Sequence, residues 1–124
     1  MRAFAVLAGL MLAEVALACG YCVEDKIAAA YDHSVVVRAA ERQHKVAFLS
    51  VEGVHAKTLE GTFIRAVQST PGVDAGSVRV SLEGGALSFA FDPSRHSLSS
   101  IVEGIQKKVA AKGVEVSVLR VLRD

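Results

Sequence analysis

The chain has 124 residues, 14 basic against 13 acidic side chains, a formal net charge of +1 and two cysteines. A near-neutral balance with no basic run supplies no field for nucleic acid, and the length suits one small domain whose core needs no disulfide staple. All thiol chemistry therefore belongs to one short segment, Cys19-Gly20-Tyr21-Cys22.

Residues 1–18 read as an export signal. Arg2 gives a short basic start, Phe4 to Leu12 an apolar or small run, and Ala16-Leu17-Ala18 the small-x-small pattern of a signal-peptidase site. The run is too short for a membrane-spanning helix, which takes about 20 residues. The expectation is an exported, periplasmic protein whose mature chain starts at Cys19. A lipid anchor on Cys19 is the competing outcome, disfavoured because Ala16 stands where lipoprotein signals usually carry leucine.

Residues 19–44 form a second unit, the Cys-x-x-Cys followed by a helix. Glu24 and Asp25 suit a first turn, Ile27, Tyr31 and Val35 lie four apart on one face, and Arg42 and Lys45 close the far end with positive charge, as the helix dipole prefers. The spacing predicts a continuous helix of about 18 to 20 residues. The β-branched run Val35-Val36-Val37 supports an alternative, a break near Asp32-His33 with a short strand after it.

Residues 45–124 alternate strand and helix signals. Val46 to Val51 is apolar and β-rich and breaks at Glu52-Gly53. Leu59, Phe63, Ala66 and Val67 recur at helical spacing before the turn Ser69-Thr70-Pro71-Gly72. Val78, Val80 and Leu82 alternate with polar residues, and Gly84-Gly85 turns the chain into Leu87, Phe89 and Phe91, a hairpin pattern. Leu98, Ile101, Ile105 and Val109 give a second amphipathic helix that stops at Gly113, and Val114, Val116 and Val118 a last strand. The fold class is α+β: a ferredoxin-like βαββαβ sandwich preceded by an N-terminal helix.

The segment from Lys45 to Leu122 also resembles the heavy-metal-associated domain, the ferredoxin-like module of copper chaperones and metal-pumping ATPases. The resemblance is carried by Val51-Glu52-Gly53-Val54, Pro71-Gly72-Val73, Gly84-Gly85-Ala86-Leu87 and Phe91-Asp92-Pro93-Ser94. It implies a loop Cys-x-x-Cys after the first strand that holds a soft metal. Here the matching positions are Ala56 and Leu59, neither of which can be a ligand.

If the N-terminal helix folds back along the first strand, Cys19 and Cys22 return to that loop and stand in for the missing pair, with His55 as a third ligand. A helix of that length, about 30 Å, matches a strand of about 23 Å well enough for this. A helix amino end favours thiolate. Two thiolates with one imidazole suit Cu(I) foremost and Zn(II) or another soft metal second.

The reading is a non-enzymatic metal buffer or carrier, with a metal-efflux pump or periplasmic carrier as partner. Its rivals are a thiol-disulfide oxidoreductase using Cys19 and Cys22, a plain small-loop disulfide, and a docking module without metal. His33 would lie about 16 Å beyond Cys22 along a continuous helix, in reach of a shared ion only if the helix breaks. His44 and His96 read as solvated.

Overall fold

In the computed structural model, which describes residues 23–53 and 59–122, Lys45–Glu52 forms strand β1 with neighbours on both sides. Two helices precede it, α1 (23–30) and α2 (His33–Glu41). The chain continues through α3 (Glu60–Gln68), β2 (Arg79–Ser81), β3 (Ala86–Phe91), α4 (Leu98–Val109) and β4 (Glu115–Leu122). The strands lie in the order β2-β3-β1-β4, every pair antiparallel. From β1 onward this is the βαββαβ order read from the sequence.

Side chains alternate across a strand, and the two faces of this sheet build two cores. One face presents Ala47, Leu49 and Val51 of β1 and Leu87, Phe89 and Phe91 of β3, packed on Phe63 and Val67 of α3 and on Ile101, Ile105 and Val109 of α4. The other presents Val46 and Phe48 with Ala86 and Ala90, packed on Ile27 and Ala30 of α1 and Val35 and Ala39 of α2. Burial on both faces explains why β1 reads as a nearly continuous apolar run. It also explains β3, where the alternation is large against small: Ala86, Ser88 and Ala90 leave room for helices to approach. Ser88 stays buried because its hydroxyl donates to the Ala30 carbonyl at 2.7 Å, which offsets the desolvation of a polar group.

The single long N-terminal helix is corrected. α1 ends at residue 30, and Asp32 takes extended backbone, with φ −133° and ψ 113°, as the N-cap of α2. Its carboxylate accepts the Ser34 amide at 2.9 Å and the Ser34 hydroxyl at 2.7 Å, and Arg79 of β2 donates to its second oxygen at 2.8 Å. Aspartate favours caps over helix interiors, and here a cation from the sheet fixes the choice. Tyr31, in the break, stacks on Phe48 with ring centroids 6.4 Å apart. The alternative reading placed the break correctly but put a strand after it. Val35-Val36-Val37 is helical because Val35 is buried on the sheet, and tertiary packing outweighs a propensity cost of a few tenths of a kcal/mol per residue.

The break redirects the chain. Glu24 pairs with Arg120 of β4 at 2.6 Å, Lys26 donates to Ser50 of β1 at 2.6 Å, and Ala29 lies against Gly84 in the β2-β3 turn. α1 thus crosses the strands from β4 over β1 to the hairpin, and α2 returns over β1 and β3.

Candidate functional site

Cys19, Cys22 and His55 lie outside the described residues, so their mutual distances are not part of the structure. What is described is the frame on either side of them: the start of α1, the end of β1 and the start of α3.

The start of α1 is fastened to the C-terminal half of β1. Lys26 Nζ donates to Ser50 Oγ and stands 3.9 Å from Glu52 Oε1, the last residue of the strand. Glu24, two residues earlier, is held to β4 by Arg120. That guanidinium, through its hydrogen bond first and its charge second, keeps the Glu24 carboxyl below the usual range, and the Glu24 carboxylate in the same order raises the pKa of Arg120. Val23 packs against the second core. The residue that follows Cys22 is therefore anchored on the sheet.

The end of β1 is equally constrained. Gly53 has φ +94°, and a side chain there would run into the Gly113 carbonyl, so the turn between α4 and β4 abuts the exit of β1. Gly113 is itself left-handed at φ 75°, the helix-ending conformation read from the sequence. Beside it the Gly85 carbonyl accepts the Val51 amide at 2.9 Å, and Lys26 reaches over Gly85. Leu59, on the far side of the loop, is the N-cap of α3 and makes no side-chain cap hydrogen bond. It is 39% exposed rather than a core residue. The position that would carry the second loop thiolate is thus a solvent-facing leucine at a helix amino end.

The remaining histidines fall elsewhere. The helix does break, yet His33 sits beyond the far end of α1, an eight-residue span of about 12 Å, where its Nδ1 meets the Tyr31 hydroxyl at 3.2 Å. His96 is exposed, as expected. His44 is not: its side chain is 21% exposed, Nε2 stands 3.9 Å from Asp92 Oδ2, and Nδ1 is buried without a hydrogen-bond partner. The polar sequence Arg42-Gln43-His44 gave no sign of this, because Gln43 takes a positive φ of 58° and turns His44 back under α2. Among the described residues no group of three or more His, Cys, Asp or Glu side chains is placed to hold a metal ion, and no helix is long and apolar enough to cross a membrane.

No protein-family profile and no curated protein sequence matches the chain. Its similarity is to solved structures. A copper-binding domain from HMA7, a P-type ATPase, superposes with a TM-score of 0.51 at 21% identity, over 61% of this chain and 95% of that one. Oxidized MerP from Ralstonia metallidurans CH34 gives 0.49 at 25% identity over 60% and 96%, and the yeast copper transporter domain Ccc2a gives 0.48 at 21% over 61% and 96%. The fold is the ferredoxin-like fold of heavy-metal-associated domains. The matched share of this chain is about the length of β1 to β4.

Proposed function

We propose that the protein is an exported, non-enzymatic carrier or buffer of Cu(I), which it takes between Cys19 and Cys22 with His55 as a third ligand. The observation that carries this reading is the seat of α1: Lys26 bonds Ser50 at 2.6 Å, so the residues just after the cysteine pair are held at the end of the sheet from which the loop bearing His55 departs. Support also comes from the similar fold of copper-binding domains and from Leu59 standing, exposed, where a loop thiolate would be.

The chemistry follows from the donors. Two thiolates at C-x-x-C spacing chelate one soft monovalent ion as a near-linear pair, and an imidazole adds a weaker third bond. A carrier must also let go. A partner thiolate, thioether or imidazole enters as Cys19 or Cys22 leaves, copper stays monovalent throughout, and no electron moves. The partner class is a metal pump or a second exported carrier. In this reading the mature chain starts at Cys19 without lipid.

The test is competition for Cu(I) against a chromogenic chelator, run on reduced protein recovered from the periplasm with its intact mass recorded. The expected result is one copper per chain, tight binding lost in the C19S/C22S double variant, and weaker but retained binding in H55A. Unchanged affinity in the double variant would sink the reading. A diacylglycerol increment in the mass would replace the free mature chain by an anchored one.

A further inference from the structure

Three arginines line one small cavity between α2 and the sheet. Arg38 and Arg42 sit one turn apart on α2, Arg79 rises from β2, and with Asp74, Ser77 and His44 they line a space of about 140 Å³. Like charges one helical turn apart repel, here between Arg38 and the C-cap Arg42, and a third guanidinium adds to the repulsion. Compensation is incomplete: Asp32 pairs with Arg79 at 2.8 Å and Asp74 stands 3.8 Å from Arg42, while Arg38 has no ion-pair partner among the described residues.

The third arginine is built into place. Its Nε donates to Asp32, and its Nη1 donates to the carbonyls of Gly76 at 3.1 Å and Val78 at 2.9 Å. Among the described residues Nη2 makes no hydrogen bond. His44 lines the same space, while its Nδ1 is closed off from solvent and without a partner among the described residues. A buried orphan of this kind calls for a ligand or a water. Against an anion stand the carboxylates of Asp74 and Asp32 and the carbonyl end of α2; the three guanidinium groups exceed the two carboxylates by one charge, that of Arg38.

We propose that this cavity binds a small oxyanion of the phosphate class, gripped by Arg38, Arg42 and Arg79 beside the ring of His44. Donors from three side chains suit a tetrahedral ion better than a planar carboxylate, since Arg38, Arg42 and Arg79 Nη2 can each meet a different oxygen.

The experiment is an NMR titration of the full chain with inorganic phosphate at low ionic strength, with succinate as a parallel arm. Expected are saturable shifts at the Arg79 Nε–H and His44 signals, succinate at least tenfold weaker, and a tenfold or larger loss of phosphate affinity in R38Q/R42Q. Both substituted side chains are exposed, and an unchanged amide spectrum elsewhere confirms that the variant is folded. Non-saturating shifts, or equal affinity in the double variant, would overturn the site. Succinate binding as tightly as phosphate would overturn the tetrahedral assignment.

Discussion

Asp32 is where sequence chemistry and tertiary structure meet most tightly. The Ser34 hydroxyl, then Arg79, then the Ser34 amide bond its carboxylate and hold its pKa at about 2, against an ordinary 3.8. A folded-state pKa below the unfolded one means stability that is full above about pH 4 and is lost as pH falls toward 2. D32N keeps a capping oxygen but cannot titrate. Denaturant midpoints measured at pH 5 and at pH 2.5 should therefore fall less in D32N than in the parent. Equal falls would show that Asp32 contributes nothing to acid sensitivity. Glu24 and Asp92 are lowered as well, so some acid sensitivity should remain in the variant. At this scale the sequence displayed the candidate ligands by their rarity, since two cysteines in one C-x-x-C stand out in any reading. It did not display Arg79 as the partner of Asp32, 47 positions away, nor His44 as a half-buried ring, because both depend on contacts that no local pattern encodes.

Among the elements, the strands and helices of the βαββαβ unit were legible because their periodicities are strong and their turns carry diagnostic residues. Gly85 at φ +64° in the hairpin and Gly113 after α4 are such residues. The division of residues 23–41 into two helices was harder to see. Ile27, Tyr31 and Val35 keep a four-residue spacing, but Tyr31 serves as a stacking residue in a break rather than as a rung of one helix. The second core was hidden for a related reason. Ala86, Ser88 and Ala90 look like the solvent side of a half-buried strand until helices cover them. Phe48, 1% exposed beneath Tyr31, tests whether those helices are integral to the domain. F48A should cost about 3–5 kcal/mol, the range for emptying a buried aromatic site, measured by urea unfolding with the parent as reference. A loss under about 1 kcal/mol would mean that the site collapses freely and that α1 and α2 are loosely attached.

For the molecule as a whole, one sheet carries helices on both faces: α3 and α4 on one, α1 and α2 on the other. The share of this chain matched by the copper-binding domain from HMA7 is about the length of the βαββαβ unit. The layer of α1 and α2 places the start of α1 beside the end of β1, the placement on which the proposed use of Cys19 and Cys22 rests. It also frames the arginine-lined cavity, whose walls come from α2 on one side and from Asp74, Ser77 and Arg79 on the other. Copper-edge X-ray absorption on the Cu(I)-loaded full chain tests the proposed use of the cysteines most directly. Two sulfur neighbours and one lighter neighbour that disappears in H55A are expected. Coordination by nitrogen and oxygen alone, or copper that washes away on desalting, would contradict it.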